Sequence, residues 1–201
     1  MPSLDTKSPD EKTLAVNTLF RIPLAVRAMR DGGVIAYPTE AVWGLGCDPF
    51  NQDAVLELLQ IKQRDWRKGV ILVAANTAQL KPYLHGLDEK YLHTLYASWP
   101  GPNTWLVPNN GTAPDWITGA RDTLAVRVTA HPVVAKLCES FGAAIVSTSA
   151  NPAGKLPARN LFAVQKYFGR NLDSIVPGAL GGLQNPTQIR DVITGEICRP
   201  S

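Results

Sequence analysis

Four cations, Lys62, Arg64, Arg67 and Lys68, fall within seven residues against the single acid Asp65. The whole chain carries a formal charge of only +3, so the positive charge is concentrated here. The stretch closes an apolar run with helical spacing: Val55, Leu56, Leu58, Leu59 and Ile61. Cations at a helix C-terminus answer the negative end of the helix dipole. That accounts for one or two of them, not for four. Clustered cations without matching acids suit a polyanion, either a nucleoside triphosphate or a nucleic-acid backbone.

Three further groups could do chemistry. Thr39 and Glu40 follow the short apolar run 34–37, and a polar pair at the end of a buried strand is a common site position. A turn capped by either side chain is an equal reading. Ser147, Thr148, Ser149 and Asn151 gather at the end of the apolar run 144–146, before Pro152 and Gly154. Such a loop can offer hydroxyls and backbone N–H groups to a phosphate or carboxylate, or it can simply turn. Arg127 lies inside Leu124-Ala125-Val126-Arg127-Val128, where strand alternation puts it on the face of Ala125. On the solvent face it needs no partner; turned inward it needs an anion, for which its fork suits a carboxylate. Arg190 and Arg199 add late cations, and Arg199 alone reads as a surface residue.

Several chemistries lack their residues. There is no phosphate-binding GxxxxGK[ST], no GxGxxG between strand and helix, no HExxH and no GxSxG. His85, His93 and His131 are scattered, and His131, before Pro132, reads as structural. No His/Cys/acid spacing suggests a metal site.

The elements that must position these groups alternate. Helices are expected over 13–31 with a break near Pro23, then over 53–61, 77–84, 88–98, 131–141 and 161–168. Strands are expected over 34–37, 44–47, 70–75, 104–107, 124–128, 144–148, 189–193 and 196–199. Many strands are short, and 16 Pro and 16 Gly fill the turns. The pattern is α/β with a mixed sheet rather than a regular doubly wound fold. Residues 1–12 read as a flexible lead-in and 13–201 as one domain.

At 45% hydrophobic and 18% charged, the 201 residues have an ordinary globular composition. No run is long enough to span a membrane, and the polar stretch 1–12 does not read as a secretory leader. Cys47, Cys138 and Cys198 are odd in number and without CxxC spacing, which argues for a reducing compartment such as the cytoplasm.

Taken in order, YPTEAVWGLG, the KxR of Lys62 and Arg64, WPGPNTW, LAVRVTAHP, STSAN and PTQIRD resemble the motifs of the YrdC-like family, from about Arg30 to Arg199. Its short bacterial members are threonylcarbamoyl-AMP synthases. The resemblance implies a single twisted α/β domain around an open, positively charged cavity. The implied reaction joins L-threonine, bicarbonate and ATP into L-threonylcarbamoyladenylate and pyrophosphate. A tRNA threonylcarbamoyl transferase complex then uses the product. By position, Lys62, Arg64, Ser149 and Asn151 match the groups that hold the ATP phosphates and the adenylate. Thr39, Arg127, Ser149 and Thr187 match L-threonine positions. Thr123, Arg159 and Arg199 match nucleotide positions, with Arg67 or Lys68 as an added phosphate contact. Mg²⁺ is expected on the ATP phosphates, with no protein ligand.

The chain also departs from that pattern. Leu72-Val73-Ala74 stand where longer relatives carry a His, and Gly69 replaces a common Pro. The extra C-terminal domain of longer relatives is not expected after Ser201. Two other readings compete: an RNA-binding protein that uses the basic cavity without catalysis, and a sugar-phosphate lyase. The lyase needs an acidic metal site that the sequence does not offer. Contact with tRNA is compatible with synthesis.

Overall fold

The structure, a computed structural model, describes residues 9–200, with side chains for Thr18 and from Phe20 onward. Residues 1–8 of the expected lead-in lie outside the described residues, and 9–12 form the first turn of α1 (Pro9–Arg30). The expected break at Pro23 does not occur. Pro23 removes one N–H from the helix ladder, but Ile22, Ala25, Val26 and Met29 are buried on one face that runs across it. Packing of that face against α6 (Pro132–Phe141) outweighs the local defect.

Nine strands form one mixed sheet. They are β1 (Ile35–Pro38), β2 (Trp43–Gly46), β3 (Ile71–Ala74), β4 (Asn103–Pro108), β5 (Thr123–Val128), β6 (Ile145–Ser149), β7 (Ser174–Ile175), β8 (Gln188–Asp191) and β9 (Ile197–Arg199). Their spatial order is β7-β1-β2-β6-β3-β5-β4-β8-β9. The pairs β1/β7, β3/β5 and β4/β8 are parallel, and the others are antiparallel. The remaining helices are α2 (Gln52–Ile61), α3 (Lys81–Leu84), α4 (Glu89–Ser98), α5 (Asp115–Thr118) and α7 (Leu161–Phe168). Among the described residues no helix is long and apolar enough to cross a membrane.

The period of two along each strand splits the core between the two faces of the sheet. Ala36, Leu72, Val126 and Val146 join the α2 side chains Ala54, Val55, Leu58 and Leu59 on one face. Ile35, Tyr37, Val73 and Ile145 join α1 and α6 on the other. On that second face the register continues Val73 into Arg127, and Ile71 into Ala125 and Ser147. Helices α1 and α6 pack over the part of the face around Val73 and Ile145, while Ile71, Ala125, Arg127 and Ser147 line a cavity.

Close strand approach sets one sharp demand. At Gly46 a Cβ would run into the Val146 carbonyl oxygen and the Tyr37 ring. Gly46→Ala is therefore expected to destabilise the fold by about 1–3 kcal/mol through forced displacement of β6 or Tyr37. Urea denaturation reads this directly; an unchanged midpoint would show that the sheet relaxes freely there.

Candidate active site

The cavity has a volume of about 540 Å³, within the usual range of small-ligand sites. Several of its strand residues share one sheet face by register: Gly44 opposite Ser149, Leu106 opposite Ala125, and Ile189 opposite Arg199. The wall also carries Thr39, Trp43, Arg64, Lys68, Arg121, Arg127, Ser147 and Thr187. Among the described residues, five cations line it and no carboxylate does.

The 62–68 cluster divides between different environments. Helix α2 ends in a Schellman-type cap, with Gln63 N–H donating to Gln60 O (2.9 Å) and Arg64 N–H to Leu59 O (2.9 Å). Gln63 takes the left-handed φ of +53° that this cap requires. Lys62 and Arg64 leave the turn toward different partners. Lys62 is buried, and its Nζ donates to the carbonyls of Ser149 and of Asn151 (the latter at 2.8 Å), fastening α2 to the loop after β6. It does not line the cavity wall. Arg64 does, and its Nη2 donates to Gly69 O at 2.9 Å while its Nε is buried without a partner. Lys68 is on the wall. Arg67 points away, its side chain 69% exposed beside Asp65.

Gly69 turns the chain at φ +63°, which the fixed negative φ of a proline could not adopt. A Cβ there would also meet Thr118 O at 2.6 Å. The close approach lets Val70 N–H donate to Ile117 O (2.9 Å) and Ala120 N–H to Arg67 O (3.1 Å). This lacing brings Arg121 to the wall near Arg64. No local sequence signal marks Arg121; only the long-range pairing of 67–70 with 117–120 reveals it.

Arg127 faces inward, so the solvent-face alternative does not apply. Arg127 and Glu40 are each 6% exposed, with Nη1 to Oε2 at 3.4 Å. Burial pushes the Glu40 carboxyl up, but Arg127 and the Thr129 hydroxyl (Oγ1 to Oε1, 2.6 Å) outweigh it and hold it below the usual range. Thr39 donates its hydroxyl to Val42 O (2.7 Å) within the β1–β2 turn and still borders the cavity. Thr187 is buried against Thr104 (Oγ1 to Oγ1, 3.2 Å). Arg199 Nη2 donates to Thr187 O at 2.6 Å, which ties β9 to the threonine-bearing segment.

The other candidates sit around this core. Ser149 lines the wall and donates to Asn151 Oδ1 at 2.6 Å; Asn151 lies just behind it, its Nδ2 on Lys155 O at 2.8 Å. Thr123 is half-buried on the cavity face of β5, outside the lining. Arg159 is exposed and donates to Gln184 O, again outside the lining. His131 is buried, its Nε2 3.0 Å from Ala179 O.

The cations disturb one another. Burial and then the Arg64 charge pull Lys62 down to about 7. Arg64 is lowered by burial and then by Arg121, and Arg199 by burial and then by Arg127 and Arg64. Such a wall is relieved by an anion. Among the described residues no three His, Cys, Asp or Glu could hold a metal ion together. The cysteines are free, Cys47 and Cys138 buried and Cys198 exposed.

A protein-family model named Sua5_yciO_yrdC and described as telomere recombination matches residues 27–201. The threonylcarbamoyl-AMP synthase of Cellvibrio japonicus is 58% identical over 181 residues, covering 90% of this chain and 96% of that protein. That of Pseudomonas aeruginosa strain PAO1 is 55% identical over 182 residues, with 90% and 98% covered. P. abyssi Sua5, solved in complex with L-threonine, superposes with a TM-score of 0.84 at 30% identity. The match covers 90% of this chain, which spans about half (54%) of that one. E. coli YciO shares the fold, with a TM-score of 0.74 at 24% identity over 89% of this chain and 84% of that one.

Proposed function

The chain belongs to the Sua5/YciO/YrdC family, and we propose that its cavity makes L-threonylcarbamoyladenylate and pyrophosphate from L-threonine, bicarbonate and ATP. The enzyme is a nucleotidyltransferase, an L-threonylcarbamoyladenylate synthase serving N6-threonylcarbamoyladenosine modification of tRNA. One observation carries the reading from the geometry. A small-ligand cavity is walled by Arg64, Lys68, Arg121, Arg127 and Arg199, with no carboxylate among the described residues, and hydroxyls line it beside them. That wall suits a triphosphate and a carboxylate bound together.

Arg64 and Lys68 take the phosphates, Arg127 takes the threonine carboxylate, and Thr39 and Thr187 border the amino-acid end. Ser149 sits between the two substrates. Lys62 and Asn151 support it from behind, and Lys62 lends its charge to the phosphates. Thr123, Arg159 and Arg199 belong to the nucleotide side. Mg²⁺ enters as part of MgATP, since the wall offers it no carboxylate.

Threonine's amine adds to carbon dioxide and gives up a proton to water, or condenses with bicarbonate and releases water, to form a carbamate. A carbamate oxygen forms a bond to the α-phosphorus of ATP as the bond to the β-phosphate bridging oxygen breaks, and pyrophosphate leaves. Two anions must meet, so the fixed cations lower the barrier by offsetting their repulsion and the charge on the leaving group. No side-chain nucleophile takes part. A transferase partner then receives the adenylate, and tRNA contact and a cytoplasmic setting fit that role.

The test is pyrophosphate release from purified protein with ATP. Release is expected to require both L-threonine and bicarbonate, with L-serine, one methyl smaller, used roughly 10–200-fold less efficiently. Release that ignores threonine would overturn the function.

A further inference from the structure

We infer that Glu40 is a positioning residue for the amino-acid substrate: it fixes the Arg127 guanidinium so that its Nη end serves the cavity. The inference rests on the threonine subsite proposed above and adds a residue to it. Arg127 lines the wall and Glu40 does not, so the carboxylate acts from behind. Glu40 Oε2 lies 3.4 Å from Nη1 as an ion pair without a hydrogen bond, and Arg127 Nε is buried, so the guanidinium meets the cavity through its Nη end. A guanidinium binds a carboxylate through paired N–H groups along one edge. An acid beside Nη1 restrains how that end is presented to the cavity.

The position of Glu40 is itself over-determined. Its Oε1 accepts from Thr129 Oγ1 at 2.6 Å, and the same hydroxyl oxygen accepts from His131 N–H at 3.0 Å. Its carbonyl accepts from Leu183 N–H at 2.9 Å, and the Thr39 carbonyl accepts from Gly181 N–H at 3.0 Å. Gly181 lies so close that a Cβ there would stand 2.9 Å from Glu40 Cα. His131 Nε2 meets Ala179 O at 3.0 Å from the other side. One residue therefore links the turn carrying Thr39, the strand carrying Arg127 and the segment leading to Thr187. The acid lowers the net pull on an incoming carboxylate. What it contributes is a fixed direction, which reduces the reorganisation that binding requires.

The experiment uses the full chain and measures L-threonine binding by calorimetry, with KM for L-threonine and for ATP taken separately. Glu40→Gln keeps the size and an oxygen for Thr129 but removes the charge. It is expected to weaken L-threonine by roughly tenfold or more while KM for ATP moves less than about threefold. An L-threonine affinity within about twofold of wild type, or a parallel rise in both KM values, overturns the inference. Glu40→Gln leaves a buried guanidinium unpaired, so the double variant Glu40→Gln/Arg127→Met, which carries neither charge, is measured beside Arg127→Met. Equal L-threonine affinities support action through Arg127, and a further loss in the double variant overturns it. A wild type that forms no adenylate from L-threonine would instead defeat the function itself.

Discussion

Arg64→Ala is expected to lower threonine- and bicarbonate-dependent pyrophosphate release by about 10²–10³-fold with the fold intact, the usual cost of deleting a fixed group that stabilises developing charge. Arg64 stands on the wall with burial and Arg121 both disfavouring its charge, so an arriving anion relieves it. Its Nε has no hydrogen-bond partner, and its Nη2 donates to Gly69 O. Losing that bond costs only about 0.5–1.5 kcal/mol, so melting should shift little while turnover falls. Arg64→Lys separates charge from shape. Lysine restores a cation without the planar fork, and partial recovery is expected. Wild-type turnover in Arg64→Ala would remove Arg64 from the chemistry.

Much of the fold is legible locally because its periods are clean. Helix α7 begins and ends where its apolar spacing says, and β5 alternates as expected, with Arg127 and Ala125 on one face. The local rules fail where distant contacts decide. Pro23 marks a helix break in isolation, yet the buried stripe on α1 holds the helix through it. The two-residue β7 has no pattern long enough to read; it exists because Ser174 and Ile175 pair with Ile35 and Ala36. Helix α5 is a single turn with the same difficulty.

The candidate site divides along the same line. Motif residues such as Thr39, Arg64, Arg127 and Ser149 can be picked from the chain, and the sheet register sets them around one cavity. Partners across the fold cannot be picked. Arg121 reaches Arg64 only through the close packing of Gly69 and Gly119. Glu40 looks like a turn residue until β5 places Arg127 against it. The cationic stretch reads as one patch because sequence spacing does not show which way a left-handed residue will turn the next side chain. Gln63 separates its two neighbours, sending Lys62 to the loop after β6 and Arg64 to the cavity.

That separation gives Lys62 the second large effect. Lys62→Met keeps most of the aliphatic stem and deletes the ammonium that joins the carbonyls of Ser149 and Asn151. Ser149 O keeps the Asn151 N–H (3.0 Å), while the Asn151 carbonyl loses its donor at a cost of about 1–3 kcal/mol, and the loop carrying Ser149 loses its anchor. Pyrophosphate release is expected to fall at least about 10²-fold, and stability to fall with it. The pH dependence carries a distinct sign. Burial and then Arg64 lower the folded pKa of Lys62 from the ordinary 10.5 to about 7. Between those values the unfolded chain holds a proton that the folded chain has released, so rising pH favours folding by up to about 1.4 kcal/mol per pH unit. Below about 7 both states are protonated, and above 10.5 neither is, so the slope vanishes outside that window. Lys62→Met has no such proton. The stability of wild type relative to the variant is therefore expected to grow from pH 7 toward 10 in paired urea titrations, and parallel curves would show an ordinary lysine. Activity runs the opposite way. The charged form is proposed to act on the triphosphate from behind Ser149, so kcat/KM for ATP, which reports the free enzyme, is expected to fall as pH rises through about 7. A wild type that grows more stable and less active over the same pH interval is the signature of one buried lysine with both structural and electrostatic duties.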